Sequence, residues 1–186
     1  MKPIKNIFII WTVIMFLVTF TCLLTYLVTQ QVIRLGVNEL PVQFATETSI
    51  KLENGQSAKD AIPNETIDIS KSLGTFVMIF DKDKNLIATS AMMGSVEPAY
   101  VKGVLDYVDK RGEYRVTWQP QVGLRFATVV TKVGNKYIVA GRSLQEPERL
   151  IDIIGILVSV AWLACLIFSS IALGIIYVFI KKVFKM

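Results

Sequence analysis

The sequence predicts an α+β domain, a five-stranded antiparallel sheet with helices on one face, placed between two transmembrane helices. Three observations lead there. Two long apolar stretches lie near the ends of the chain. The segment between them alternates short strand-like runs with helical patterns. The strands after the second helical pattern follow one another with only tight turns between them.

Of the 186 residues, 53% are hydrophobic, and the mean hydropathy is +0.51. That is too apolar for an ordinary soluble domain. The excess sits in residues 7–29 and 151–180; no charge interrupts the chain between Lys5 and Arg34, or between Asp152 and Lys181. A spanning helix needs about 20 apolar residues, so both stretches are long enough. The first follows the basic start MKPIKN, but its apolar run exceeds a signal peptide's core, and no small-residue cleavage site follows. It reads as an uncleaved anchor.

Flanking charge sets the expected orientation. Residues 1–6 carry Lys2 and Lys5, and residues 181–186 carry Lys181, Lys182 and Lys185. Both short tails are purely basic and are expected in the cytoplasm, with residues 30–150 outside it. The central segment is nearly balanced in charge, so the net +5 belongs mostly to the tails. Its basic residues are scattered, and no nucleic-acid footprint is indicated. Both cysteines, Cys22 and Cys165, fall inside the apolar stretches, so the central domain is expected to fold without a disulfide.

The elements of the central segment follow in order. VNELPVQFATETSIKLENG reads as a helix with Pro41 in its first turn; Val42, Ala45, Ser49 and Leu52 share one face, and Asn54-Gly55 ends it. GQSAKDAIPNET reads as a polar loop. TFVMIF, a continuous apolar run, is a central strand; DKDKN is a charged turn and LIATS the returning strand. Asp81, Asp83 and Asn85 superficially resemble a calcium loop, but the Gly and the bidentate Glu of an EF-hand are missing. EPAYVKGVLDYVDKRG reads as a helix beginning at Pro98 and stopped by Gly112. EYRVTWQP, LRFATVVTKV and KYIVAGR are three successive strands, with Gly134-Asn135 as a two-residue hairpin.

TFVMIFDKDKNLIATS, GVLDYVDKRGEYRVTWQPQVGLRFATVV and YIVAGRSLQEPE together resemble the extracytoplasmic PAS-like or single Cache sensor domain of bacterial two-transmembrane receptors of the sensor histidine kinase type. The resemblance covers nearly the whole chain, in architecture more than in motif. It implies a sensor in the bacterial inner membrane, two-pass, with both termini cytoplasmic. Only KKVFKM follows the second stretch, so the expectation is an input domain without an output domain of its own. The receiver is then a separate membrane signalling protein or the partner in a homodimer.

Catalysis is not expected. The chain has no histidine, which removes Ser-His-Asp and Cys-His arrangements and histidine metal sites. Asp106 and Asp109 lie three apart on one helix face, as in a solvated surface. No metal or other cofactor is indicated. The resemblance instead implies a ligand pocket between sheet and covering helix. Its candidates are Trp118, Arg125 and Arg142 from the three C-terminal strands, with Tyr100 and Tyr107 from the helix above. Guanidinium groups with aromatics suit a small anionic ligand, since a carboxylate pairs with them bidentately. The plainer reading makes Trp118 core, Arg125 a solvent-facing residue and Arg142 a membrane-surface anchor.

The strand-to-helix junction is the other candidate. Ser143, Leu144, Gln145 and Glu146 match the S-x-x-E capping box, which would start a helix at once. Pro147 allows an alternative, a helix beginning at Pro147 with Glu146 as its cap. Either way Ser143, Glu146 and Pro147 form a short coupling from sheet to span. The competing expectation for the whole protein is an accessory membrane protein that uses the domain as a docking surface. In the bilayer, Gly155-x-x-x-Ser159 and Ser170-x-x-x-Gly174 offer small residues for close helix packing.

Overall fold

The structure, a computed structural model, describes residues 2–183. Lys185 lies outside them, as do the side chains of Lys2 and Lys5. The chain divides into two compact units, residues 33–149 and the pair of terminal segments 1–32 and 150–186.

The terminal unit is built on two helices. α1 (Lys2–Gly36) and α5 (Gln145–Val183) are each long and apolar enough to cross a membrane. They pack on one another. The Trp162 indole Nε1 donates to Thr19 Oγ1 at 2.9 Å, Ser169 Oγ lies 3.2 Å from Met15 Sδ, and the Tyr26 ring rests over Gly155. Hydroxyls of Thr12, Thr19, Thr21 and Thr29 donate to the carbonyl four residues back, so these polar groups are satisfied within their own helix. Ser159 does the same to Gly155.

The central unit is a mixed α+β domain. Five strands, β2 (Thr75–Phe80), β3 (Leu86–Thr89), β5 (Glu113–Gln121), β6 (Leu124–Val133) and β7 (Lys136–Ser143), form one antiparallel sheet in the order β3-β2-β7-β6-β5. β7, last in sequence, is therefore the middle strand. Two short strands, β1 (Ile67–Asp68) and β4 (Ala91–Met92), pair in parallel beside the sheet. They were not expected, because two residues of strand leave no readable alternation.

Helices cover both faces of the sheet, not one. Side chains alternate along a strand, and β2 shows the split. Val77 and Ile79 pack with Ala45, Ala61, Ile62, Val129, Ile138 and Ala140, under α2 (Glu39–Glu53) and α3 (Ala58–Ala61). Phe76, Met78 and Phe80 pack with Leu105 and Val108 of α4 (Lys102–Arg111) on the opposite face. β2 and β7 are nearly unbroken apolar runs because they are buried from both sides.

α4 begins at Lys102, four residues after Pro98. The segment before it stays extended at Val101, and Tyr100 is buried in the core rather than on a helix. Gly112 ends α4 at φ +78°, with its N–H donating to Val108 O at 2.9 Å.

Candidate functional site

The α4 face is an aromatic floor. Phe76, Trp118, Phe126 and Tyr100 meet with ring centroids 5.2 to 6.0 Å apart, mostly tilted or edge-on. The Tyr100 hydroxyl lies 2.9 Å from Thr128 Oγ1, and Thr128 donates to Val116 O. Since a threonine hydroxyl has one proton, Tyr100 is the donor to Thr128. Burial pushes the Tyr100 phenol up to about 12. Tyr107 lies at the rim, exposed, stacked on Tyr114 at 5.4 Å.

Two acidic residues of α4 fasten this helix to the sheet domain. Asp106 pairs with Lys84 of the β2–β3 turn. Asp109 accepts from Lys132 Nζ at 2.6 Å and from the Tyr137 hydroxyl at 3.0 Å. The Lys132 bond, then the Tyr137 bond, holds the Asp109 carboxyl below its usual range, while the bond to Asp109 raises Lys132. The expectation of a merely solvated pair thus missed their role. The partners come from the β2–β3 turn and from β6 and β7, and no local spacing reveals them.

The arginines lie on the other face. Alternation along β6 and β7 puts Arg125 and Arg142 on the side of Val129 and Ala140, beneath α2. The structure therefore brings Tyr100 and Trp118 together, with Tyr107 near the same face, but not with Arg125 and Arg142. Each arginine has a carboxylate partner in the first turn of α5. Arg125 pairs with Glu148, and Arg142 Nη2 lies 3.6 Å from Glu146 Oε2. Glu148 went unnoticed in the sequence, although acidic residues in a first helical turn are themselves a signal, being favourable at the helix dipole's positive end.

These contacts build the junction from strand to helix. Ser143, the last residue of β7, pairs in register with Phe126. Leu144 N–H donates to Arg125 O at 2.8 Å, extending the ladder one residue further. α5 starts at the next residue. Ser143 Oγ accepts from Gln145 N–H at 3.3 Å, and Glu148 N–H donates to Leu144 O at 2.9 Å. The helix thus begins between the two expected starts, with Leu144 in the cap position. Pro147 is then the third helical residue, where the N–H has no intrahelical acceptor anyway, so its ring costs no hydrogen bond. Glu146 turns to Arg142 instead of closing a capping box.

Within the terminal unit, a groove of about 400 Å³ is lined by Ile7, Phe8, Ser170, Leu173, Gly174 and Tyr177 among others. It lies at the Ser170-x-x-x-Gly174 pair, where small side chains leave space beside the helix.

Compared with known proteins, the chain matches no family model, no curated protein and no solved structure.

Proposed function

We propose that the chain is a two-pass inner-membrane protein whose central domain is an extracytoplasmic, PAS-like or Cache-like input module of bacterial signal transduction. It registers a ligand or a partner outside the cytoplasm and relays a displacement through its spans to a separate membrane protein. The tails lie in the cytoplasm by their lysines. One observation carries the reading. The middle strand of the sheet passes in a single residue into α5, a helix that continues without interruption through an apolar stretch long enough to span a bilayer. A shift of β7 against its neighbours has no flexible linker in which to dissipate. Arg125–Glu148 and Arg142–Glu146 tie the first turn to two strands at once.

A second reading rests on the aromatic floor. Tyr100, Trp118, Phe76 and Phe126 fill the space beside α4 with the protein's own side chains, and Arg125 and Arg142 are committed to carboxylates. Both features favour a docking surface over a small-anion pocket.

The test joins binding to displacement. Thr19→Cys and Trp162→Cys, a pair in contact across the two spans, are introduced into a chain whose Cys22 and Cys165 are alanine. Thermal unfolding is screened against small carboxylates, amino acids, polyamines and divalent ions. A compound that raises the melting temperature and changes the cross-linking rate of the pair supports the input module. A flat screen with an unchanged rate on the folded protein leaves the docking surface.

A further inference from the structure

Within the terminal unit, α5 carries two pairs of small residues four apart, and their surroundings differ. Gly155-x-x-x-Ser159 is covered. A Cβ built on Gly155 would lie 3.3 Å from the Tyr26 ring of α1, so this glycine serves the close approach of the two helices. Ser170-x-x-x-Gly174 is open. A Cβ built on Gly174 would meet nothing within 4 Å, and the space beside it is the groove of about 400 Å³. Sites for small ligands have volumes of about 300–1,000 Å³, so the groove is large enough to be one. α1 contributes Ile7 and Phe8 to its walls, and α5 contributes residues from Ser170 to Ile180.

Length and charge say what fits. From Ser170 to Ile180 α5 rises about 15 Å, which is half of a hydrocarbon core of about 30 Å. The groove therefore has the depth of one leaflet. Its wall residues Ile7 and Ile180 stand next to the basic ends of the two helices: Lys5 precedes Ile7 by two residues, and Lys181 and Lys182 follow Ile180 directly. No acidic residue precedes Glu39 or follows Asp152, so no side-chain carboxylate lies near this end in sequence.

These features separate the possible occupants. A second copy inserted the same way would bring its own lysines to the same depth, and like charges oppose it. A glycerophospholipid brings an apolar chain of one-leaflet length with a phosphate at its head. The lipid around a span is as apolar as the groove, so an acyl chain alone gains only packing there. The preference for one lipid over another must come from the lysines, which attract anionic headgroups.

We propose that this groove holds one acyl chain of an anionic glycerophospholipid, in the leaflet at the basic ends of α1 and α5, with the headgroup phosphate against Lys181 and Lys182. The proposal rests on the reading that both helices cross the membrane. Ser170 and Gly174 make the room, and Phe8 and Tyr177 stand as its aromatic walls. A lipid seated there becomes part of the contact between the two spans.

The experiment offers the full chain equal amounts of phosphatidylglycerol and phosphatidylethanolamine in mixed micelles and weighs it intact by native mass spectrometry. The expected result is one retained phosphatidylglycerol per chain, several-fold in excess of phosphatidylethanolamine. Gly174→Leu, whose added Cβ meets nothing, fills the groove and should lose most of that adduct. Lys181→Gln with Lys182→Gln should still retain a lipid but level the two headgroups. Equal retention of both lipids by the parent chain, or undiminished phosphatidylglycerol on Gly174→Leu, overturns the site. A phosphatidylglycerol preference that survives both lysine changes overturns the headgroup contact. A dimer that Gly174→Leu disperses overturns the proposal in favour of a second copy. The spanning reading is tested apart from this, in vesicles. A fluorophore on Phe168→Cys, an exposed position of α5, is read against nitroxide-bearing lipid in a chain whose Cys22 and Cys165 are alanine. No quenching there overturns the spanning reading and the lipid site with it. Quenching there, with no lipid retained by the parent chain, overturns the site alone.

Discussion

The Phe76 ring lies across Gly141, its partner in register on β7. A Cβ built on Gly141 would sit 2.3 Å from the ring's Cζ, with two more ring atoms within 2.9 Å. Phe76 is fully buried between Trp118 and Phe126 and has nowhere to move. Gly141→Ala is therefore expected to destabilise the domain by about 1–3 kcal/mol, the usual cost of overpacking a core. Phe76→Leu on the same chain should recover part of that loss. A double-mutant cycle on thermal or denaturant unfolding reads the coupling. Simple additivity of the two changes would mean the ring is not held there.

Tyr100 and Thr128 form a buried polar pair inside the aromatic floor. Tyr100→Phe removes one hydrogen bond, with an expected loss of about 0.5–1.5 kcal/mol. The pH dependence is more distinctive. The folded pKa, pushed up to about 12 by burial, lies above a tyrosine's ordinary value of 10.0. The neutral phenol's contribution is complete below pH 10 and is lost as pH rises toward 12. Melting temperature followed through that window should fall less steeply in Tyr100→Phe than in the parent protein.

Acid acts at three aspartates on the surface. Asp68 is lowered to about 2, first by the Ser70 hydroxyl and then by the Gly94 N–H. Asp81 is lowered by the Asn85 N–H, and Asp109 by Lys132 and Tyr137. Because the folded values lie below the unfolded one of 3.8, their contribution is present above that pH and is lost as pH falls below it. Asp68→Asn should flatten the acid side of the stability profile and loosen the loop at Gly94. Amide exchange at Gly94 measures the second effect.

The junction pairs are solvent-exposed in part, so their worth to stability is small. For Arg125 and Glu148, a coupling of about 0.2–1 kcal/mol is expected, weakening with salt. Their effect on the geometry of the strand-to-helix junction should be larger than on folding. Arg125→Ala with Arg142→Ala should leave the unfolding midpoint nearly unchanged yet broaden the distances between spin labels on β7 and on the first turn of α5. Unchanged distances would show that the backbone ladder through Leu144 holds the helix alone.

Much of this fold is legible in sequence because its periods are clean. TFVMIF and KYIVAGR are apolar without alternation since both sides of β2 and β7 are covered. That same fact betrays the one-face expectation. A strand buried on both faces asks for cover on both, and α2 and α4 divide the task. The order of helix, hairpin, helix and three-strand meander was readable from Gly112, Gly134 and the charged turn at Asp81. Strand neighbours were not. Nothing local in KYIVAGR says that it lies beside TFVMIF, so Phe76 over Gly141 could not be foreseen. The candidate pocket failed to assemble for the same reason. Trp118, Arg125 and Arg142 occupy successive strands, but whether they share a face depends on register. One residue of register separates the floor from its reverse.

The position of β7 also decides how the protein gives way. Edge strands such as β3 and β5 fray first in a sheet, whereas the middle strand opens only when the sheet as a whole does. α5 is rooted in that last part to open. Fraying at the rim is thus expected to leave the root undisturbed; in the proposed relay, what would reach the helix is motion shared by the entire sheet. In the proposed relay, such an arrangement would act as a mechanical filter that discards local noise and passes on collective movement.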